Sequence, residues 1–237
     1  MIKELILIPV TLSQQSQSPV FMGDYYQEAL TRTEVFFVEN IRSARRFISA
    51  CKTGRIIEEI TFELLDKNTR FEAIETLFKK HQNKTIGIMS ESGCPGIADP
   101  GSRAVAYAHQ KGVKVTPMIG PSSILLALMG SGFSGQQFAF HGYLPIDQVP
   151  RNKSIKSLEE ESHKKNQTQL FIETPYRNDK LFEALCKTLN PHTMLCIGAD
   201  LSGEKEFLKT ESVSYWKKHK PLIQKIPTIF LIYAGKP

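Results

Sequence analysis

The chain has 237 residues, of which 41% are hydrophobic and 23% are charged. This composition is typical of a globular protein and excludes wholesale disorder, and the length predicts one large domain or two of moderate size. Thirty basic and 24 acidic residues give a formal net charge of +6. That excess is compatible with a polyanionic partner but does not require one.

Cysteine spacing and the lengths of apolar runs exclude further classes. The four cysteines lack CxxC or Cys/His spacing, so we expect no metal and no disulfide scaffold; they are Cys51, Cys94, Cys186 and Cys196. The amino-terminal MIKELILIPV is too short for the apolar core of a signal peptide and contains Glu4. The longest apolar stretches, around 124–129 and 226–234, fall far below the roughly 20 residues that span a bilayer. We therefore expect a cytoplasmic protein without a membrane segment.

The first half of the chain alternates short apolar runs with amphipathic helical patterns. Strands are predicted at 5–8, 35–38, 60–64, 85–89 and 113–117, and helices at 24–32, 43–51, 70–82 and 101–110. Short, uniformly hydrophobic strands separated by helices are typical of a parallel sheet covered on both faces. We predict an α/β domain over residues 1–118, with a mostly parallel sheet and flanking helices.

A turn-rich stretch, Met118-Ile119-Gly120-Pro121, interrupts this alternation and predicts a hinge at 119–121. Helical patterns follow at 122–129 and 178–189, and strand patterns at 138–141, 169–173, 194–197 and 228–233. The polar segment 147–167 is typical of a solvated helix face. Residues 122–237 are thus predicted to form a second α/β domain with a mixed sheet.

Residues 90–101, SESGCPGIADPG, are the densest group of chemistry-bearing residues. They begin where a predicted strand ends and close where a predicted helix begins. Asp99 followed by Pro100 indicates a helix start, with the carboxylate as N-cap and proline at the first helical position. A simple turn needs far fewer glycines, prolines and polar residues. We predict a ligand-binding loop at the carboxyl edge of the sheet, where open α/β folds bind their ligands.

The loop is unsuited to a phosphate ligand. The chain contains neither GxGxxG after the first strand nor GxxxxGK[ST], and the first cation near the loop is Arg103. Backbone donors and acceptors suit an uncharged nucleoside or a cationic ligand instead. No histidine is near Cys94 in the sequence, so we interpret that thiol as part of the pocket wall rather than as a nucleophile.

Six segments resemble, in the same order, motifs of the tetrapyrrole methylase superfamily, and in particular of its ribosomal RNA small subunit methyltransferase I family. VENIR at 38–42 resembles A-E-D-T-R, and the loop 90–101 resembles S-D-A-G-x-P-x-x-S-D-P-G. GPS at 120–122 with Ala127 resembles P-G-P-S…A-L, and SGF at 131–133 resembles S-G-L. FHGYLP at 140–145 and FIETPYR at 171–177 resemble F-x-G-F-L-P and F-Y-E-S-P-H-R. Together the resemblance covers residues 35 to 233.

The resemblance implies a homodimeric methyltransferase that binds S-adenosylmethionine in a cleft between its two domains and uses no metal. A sulfonium cofactor agrees with a loop that lacks phosphate ligands. By position, the resemblance assigns cofactor contacts to ten residues, which are Val10, Gly93, Cys94, Pro95, Ile97, Ser122, Ser123, Thr174, Ala199 and Thr228.

Several positions depart from the family pattern. The first loop reads IPVTLSQQ at 8–15, where the family has T-P-I-G-N-L-x-D. Glu91-Ser92 replaces D-A, Asn40-Ile41 replaces D-T, and Tyr176 replaces the histidine of P-H-R. Ile226-Pro227 stands where the family has G-E. Because these changes fall mainly on the presumed substrate side, the chain is interpreted as a divergent member.

The implied acceptor is a ribose 2′-hydroxyl of small-subunit ribosomal RNA, whose proton a base must accept. Glu39, Glu91 and Glu173 are candidates because each lies at or just after a predicted strand end. Glu39 is preferred, since Arg42 would lie one helical turn away and could hold a phosphate or the carboxylate. The alternative for this pair is a local ion pair that caps the following helix.

Arg42, Arg45 and Arg46 are the candidate RNA-binding residues, and Arg151, Lys153 and Lys156 could supply further phosphate contacts. Their alternative is a solvated helix face. Two other functions stay open from the residues alone. One is methylation of a tetrapyrrole or another small molecule, and the other is a non-catalytic module that binds S-adenosylmethionine or RNA.

Overall fold

The structure is a computed structural model that describes residues 1–13 and 23–235. The chain divides into two compact units, Met1–Ser122 and Ser123–Pro237. Each unit has its own five-stranded sheet and its own hydrophobic core. The sequence-based boundary at 119–121 lies in the last residues of the first unit.

The first unit alternates strands and helices: β1 (Glu4–Leu7), α1 (Asp24–Arg32), β2 (Val35–Val38), α2 (Ile41–Ala50), β3 (Thr61–Leu64), α3 (Phe71–Lys80), β4 (Thr85–Met89), α4 (Gly101–Gln110) and β5 (Lys114–Pro117). A 3-10 turn at Ile57–Glu59 precedes β3. These five strands pair in parallel, in the order β3-β2-β4-β1-β5. The predicted parallel sheet is confirmed.

Side-chain alternation explains the two cores of this unit. Successive residues of a strand point to opposite faces, so a strand covered on both faces is apolar throughout. In β1 and β2, Ile6 and Phe36 join the cluster on one face, whereas Leu5 and Phe37 join the other. All four are fully buried. This is why these strands read as continuous hydrophobic runs in the sequence.

The second unit contains α5 (Ser123–Ser131), β6 (Phe138–Tyr143), α6 (Gln148–Lys165), β7 (Thr168–Glu173), α7 (Asn178–Thr188), β8 (Met194–Ala199), β9 (Phe207–Ser212), α8 (Val213–Trp216) and β10 (Thr228–Tyr233). The strand order is β6-β7-β10-β8-β9. Among the described strands of this unit, β6 and β7 pair in parallel and the other pairs are antiparallel. The predicted mixed sheet is confirmed.

Two elements of the second unit escaped the sequence patterns. β9, with the sequence FLKTES, is half-buried at every position, and its polar residues hide the apolar signal of a strand. It lies at the edge of the sheet, where such composition is tolerated. The short helix α8 follows at once and begins with Ser212, whose hydroxyl accepts a hydrogen bond from the backbone N–H of Tyr215.

None of the helices in the described ranges is long and apolar enough to cross a bilayer. Within residues 1–13 and 23–235, no group of three or more histidine, cysteine, aspartate and glutamate side chains has the arrangement of a metal site.

Candidate functional site

Three loops of the first unit meet at the carboxyl edge of its sheet. β1 lies between β4 and β5, so the segments that leave these three strands start side by side. The backbone N–H of Val10 donates to the carbonyl of Gly93 at 2.9 Å, and the Ser92 hydroxyl donates to the carbonyl of Leu12 at 3.1 Å. The first loop and the loop 90–101 are therefore joined, although about 80 residues separate them in sequence.

Gly93 and Cys94 link these two loops to the segment 118–122. Gly93 has a φ of 72°, a conformation that favours glycine, and a Cβ there would lie 3.1 Å from the Leu12 side chain and 3.3 Å from the carbonyl oxygen of Pro121. The Cys94 thiol donates to the carbonyls of Gly120 and Pro121, at 3.6 and 3.3 Å. Burial raises the pKa of this thiol, which agrees with a wall residue rather than a nucleophile.

Asp99 holds the far end of the loop, but it is not the N-cap of α4 that the sequence predicted. α4 begins at Gly101, and Pro100, rather than Asp99, occupies the N-cap position. One carboxylate oxygen of Asp99 accepts the backbone N–H groups of Gly96 and Gly101, at 2.7 and 2.8 Å. The other oxygen is buried and has no hydrogen-bond partner in the described part of the chain. Burial raises the pKa of Asp99.

A cavity of about 390 Å³ opens beside these loops within the first unit. Its wall carries no charged side chain among the described residues and consists of Leu7, Pro9, Cys94, Pro95, Gly96, Ile97, Ser102, Val105, Pro117 and Met118. Three of the predicted cofactor residues, Cys94, Pro95 and Ile97, are in this wall. A concave and mostly apolar wall is the usual form of a small-molecule site.

Glu39 follows β2 at the same edge of the sheet. Its carboxylate accepts the backbone N–H of Glu91 at 3.3 Å, so it lies against the loop 90–101. Burial raises the pKa of Glu39, and the negative charge of Asp99 raises it further. Such a shift moves a carboxylate toward the proton affinity of a useful base.

The three candidate arginines lie on α2, directly after Glu39. All three are exposed, and Arg45 forms an ion pair with Glu58 at 3.5 Å. Among the described residues, Arg42 and Arg46 have no ion pair and no side-chain hydrogen bond. The alternative of a Glu39–Arg42 capping pair is not observed. The helix is capped instead by the Asn40 side chain, which accepts the backbone N–H of Ser43 at 3.2 Å.

The predicted residues of the second unit lie together at one end of the strands of its sheet. Thr228 begins β10 and pairs with Ala199 on one side and with Glu173 on the other, next to Thr174. The Thr228 hydroxyl donates to the carbonyl of Ile226 at 2.9 Å. Three positions spread over more than 50 residues are thus adjacent because β7 and β8 both flank β10.

Sequence reasoning missed Asn178, whose side chain connects the segments at this end of the strands. Its side chain is fully buried, and its amide nitrogen donates to the carbonyls of Ile223 and Ile226 and to the Thr228 hydroxyl, at 3.0, 2.7 and 3.0 Å. The available signal was an amide residue at the start of a predicted helix, directly after the motif that ends at Arg177.

Glu173 is engaged by its neighbours. The Arg177 guanidinium and the backbone N–H of Thr174 both donate to one of its carboxylate oxygens, each at 2.6 Å. Its side chain is only 2% exposed. Glu173 therefore orders the turn after β7, whereas the choice of Glu39 over Glu91 as the base stays a prediction.

The other predicted positions lie at the junction of the units. Ser122 ends the first unit, and Ser123 begins both the second unit and α5. Their role as cofactor contacts stays a prediction. Gln14 and Gln15, the last two residues of the first loop at 8–15, lie outside the described residues.

Solved structures share this two-unit fold at low sequence identity. The methyltransferase CobJ aligns with a TM-score of 0.62 and 13% identity, covering 98% of this chain and 93% of that one. Uroporphyrin-III-C-methyltransferase from Thermus thermophilus aligns with a TM-score of 0.55 and 14% identity, covering 98% and 92%. These likenesses define the fold as that of the tetrapyrrole methylases.

Sequence relatives give the second comparison, although no protein-family model matches the chain. Ribosomal RNA small subunit methyltransferase I of Vibrio cholerae is 30% identical over 214 residues, covering 89% of this chain and 66% of that protein. The protein of the same name from Thermotoga maritima is 28% identical over 180 residues, covering 75% and 76%. The chain thus spans about two thirds of the length of the Vibrio relative.

Fold, motif order and sequence relatives agree, and the chain belongs to the tetrapyrrole methylase superfamily. Within that superfamily, its curated relatives carry the name ribosomal RNA small subunit methyltransferase I. The resemblance predicted from the motifs is confirmed.

Proposed function

We propose that the chain is an S-adenosylmethionine-dependent methyltransferase that modifies a ribose 2′-hydroxyl of small-subunit ribosomal RNA. The observation that carries this proposal is the joining of three loops around an uncharged cavity in the first unit. The names of the sequence relatives, which are ribosomal RNA methyltransferases, support the acceptor class.

The residues present suit this cofactor. S-Adenosylmethionine supplies an electrophilic methyl group on a positively charged sulfur. The cavity wall is mostly apolar, and among the described residues it contains no lysine or arginine to repel a sulfonium. Gly93 brings its backbone close to the neighbouring loops, where a Cβ would press on the carbonyl of Pro121. In the second unit, Thr174, Ala199 and Thr228 are assigned to the same cofactor by resemblance.

Glu39 is proposed to take the proton of the acceptor hydroxyl. As the oxygen–carbon bond to the methyl group forms and the carbon–sulfur bond breaks, the hydroxyl proton passes to the Glu39 carboxylate. The raised pKa of Glu39 increases its affinity for that proton. The hydrogen bond from Glu91 fixes the carboxylate beside the cofactor loop. Alignment of donor and acceptor supplies the rest of the rate enhancement.

Arg42 and Arg46 are proposed to hold phosphates beside the acceptor. They are one helical turn apart on α2, and neither is neutralised by a carboxylate in the described ranges. Guanidinium groups suit phosphate because they donate in a planar fork. Arg45 is partly neutralised by Glu58 and contributes less.

Calorimetry with S-adenosylmethionine, followed by transfer of a labelled methyl group, tests the function. We expect binding of the cofactor and transfer to small-subunit ribosomal RNA, as particles or as naked transcript, with the label recovered as a 2′-O-methyl nucleotide. Transfer to a tetrapyrrole precursor in place of RNA would assign the alternative small-molecule activity. Binding without transfer to either acceptor would leave a non-catalytic module.

The RNA-binding role of α2 is tested by replacing Arg42, Arg45 and Arg46 with alanine. The matched control replaces Lys187, Lys205 and Lys218, which are exposed and form no ion pair within the described chain. Both variants lose three positive charges. For single-stranded RNA, three lost phosphate contacts reduce the slope of log K against log salt by about 2. An unchanged slope, equal to that of the control, contradicts the assignment.

We propose further that the protein works in the cytoplasm as a homodimer, which rests on the family resemblance. Sedimentation velocity of the full chain measures this directly. A monomer at micromolar concentration would contradict it.

A further inference from the structure

The edge strand β6 and the helix α6 that follows it carry exposed aromatic, apolar and basic residues. β6 is an edge strand, and its pairing with β7 shifts register between Phe140 and Tyr143. Gly142, inside this bulge, has a φ of 63°. A bulge redirects the side chain that follows it, and Tyr143 is 56% exposed. In the described part of the chain, this ring makes no aromatic contact and its hydroxyl no hydrogen bond.

Exposed apolar and basic residues continue from Tyr143 onto α6. Ile146 and Val149 are 65% and 81% exposed. Val149, Lys153 and Lys156 follow one another at spacings of four and three residues, so they lie along one face of the helix. Ile155 and Leu158 are buried and mark the opposite face. Tyr143, Ile146, Val149, Lys153 and Lys156 together are called the β6–α6 surface below.

The two lysines of this surface are uncompensated. Residues 148–158 contain three cations and no carboxylate. The third cation, Arg151, is half-buried, and its guanidinium donates to the carbonyl of Ile146 at 3.3 Å. Within the described ranges, neither Lys153 nor Lys156 forms an ion pair, although Asp147 precedes the helix and Glu160 lies one turn beyond Lys156.

Unpaired lysines and an exposed aromatic ring that has no ring partner match what single-stranded RNA requires. Its phosphates are attracted by cations, and its unpaired bases stack on aromatic faces.

We propose that the β6–α6 surface is a second RNA contact, where Tyr143 stacks on an unpaired base and Lys153 and Lys156 bind the flanking phosphates. This proposal rests on the proposed function and specifies the substrate. It requires a loop or single-stranded segment of ribosomal RNA, because the bases of a regular duplex are stacked and closed to Tyr143.

Fluorescence titration of the full chain with a single-stranded RNA containing 2-aminopurine tests the stacking. We expect wild-type protein and Tyr143→Phe to quench the fluorophore. We expect Tyr143→Leu to lose the quenching and to bind more weakly, by a factor between about fivefold and about 150-fold. Equal quenching by all three proteins would overturn the role of Tyr143.

Salt titrations test the lysines in the same assay. Lys153→Gln with Lys156→Gln is compared with Lys187→Gln with Lys218→Gln, which removes the same charge elsewhere in the second unit. Loss of two phosphate contacts reduces the salt slope by about 1.4 and the affinity at 0.1 M salt by about 25-fold. We expect Lys153→Arg with Lys156→Arg to keep the wild-type slope. Identical slopes in the glutamine variant and its control would overturn the proposal.

Two further measurements separate this proposal from its alternatives. If the wild type transfers methyl groups to ribosomal RNA while the surface variants bind RNA like the control, only the surface assignment fails. If the wild type neither binds nor methylates RNA, the proposed function and this surface fail together. A change in sedimentation of Tyr143→Leu, without a change in RNA affinity, would identify an interface between copies of the chain and overturn the RNA contact.

Discussion

Replacing Gly120 by alanine tests whether the contact between Pro9 and Gly120 holds the candidate cofactor site together. A Cβ at Gly120 would lie 2.1 Å from Cβ and 2.4 Å from Cγ of Pro9. The proline ring is rigid, and its carbonyl accepts a hydrogen bond from the buried Tyr26 hydroxyl. The segment around residue 120 must therefore move, rather than Pro9.

The size of the effect follows from that overlap. Reaching an ordinary contact of 3.4 Å from 2.1 Å requires a displacement of about 1.3 Å. The moving segment carries the two carbonyls that accept the Cys94 thiol, so the loop 90–101 loses this link. Overpacking of this kind costs about 1–3 kcal/mol, offset by up to about 1 kcal/mol because alanine reduces the freedom of the unfolded chain. A misplacement of about 1 Å lowers kcat/KM by about 100-fold.

Urea unfolding and methyl-transfer kinetics measure the two effects separately. Circular dichroism follows both units, whereas fluorescence of the single tryptophan, Trp216, reports on the second unit. Gly135→Ala is the matched control, because a Cβ at that position meets nothing within 4 Å. We expect Gly120→Ala to lose about 1–2 kcal/mol and most of its activity. Cofactor affinity and kcat/KM equal to those of Gly135→Ala would refute the reasoning.

Four other outcomes follow from the site and the core. Glu39→Gln should abolish transfer but keep cofactor binding by calorimetry, and because burial and the charge of Asp99 raise the pKa of Glu39, the wild-type rate should fall in acid at a pH above 4.5. Asp99→Asn should move that acid limb to lower pH in pH–rate profiles. An unmoved limb would show that Asp99 does not influence the pKa of Glu39. Cys94→Ser keeps a donor toward Gly120, whereas Cys94→Val removes it. The valine variant should bind the cofactor up to about tenfold more weakly, and equal affinities of the two variants would contradict a role of this hydrogen bond. Burial pulls the pKa of Glu4 upward, but the hydrogen bonds from Thr116 and Lys114 and the charge of Arg32 outweigh it and lower the pKa. Its contribution to stability is present above the unfolded pKa and is lost as the pH falls through the folded value, so the stability gap between the wild type and Glu4→Gln should close in acid urea titrations.

The elements of the first unit were predictable because each has a local cause. β2 is apolar at every position since both of its faces are covered. Ala44 and Ile48 of α2 and Cys51 directly after it repeat at helical spacing, and all three are buried. Neither pattern depends on which strands are neighbours. In the second unit the same reasoning failed at β9, where an edge position permits Lys209 and Glu211 inside a strand.

The candidate site was predictable only in part. The loop 90–101 could be recognised because its glycines and prolines are needed for its own backbone, as the φ of Gly93 and of Gly96 illustrates. The role of Asp99 could not, because a carboxylate before proline reads as a helix cap. Its actual partners include Gly96, which lies before it in the loop.

The sequence by itself determined the class of fold, the order of the elements and the loop on which the cofactor assignment rests, because these follow from periodicity and turn chemistry along a continuous stretch of chain. Only the tertiary structure decided which loops meet. Val10, Gly93 and Gly120 are neighbours because β1 lies between β4 and β5, and strand order depends on the packing of helices over the whole sheet. The net charge of +6 does not indicate which cations lack carboxylate partners, and only the fold shows this. Arg42 and Arg46 on α2, and Lys153 and Lys156 on α6, lack carboxylate partners in the described chain, because ion pairing depends on distances that residue counts do not contain.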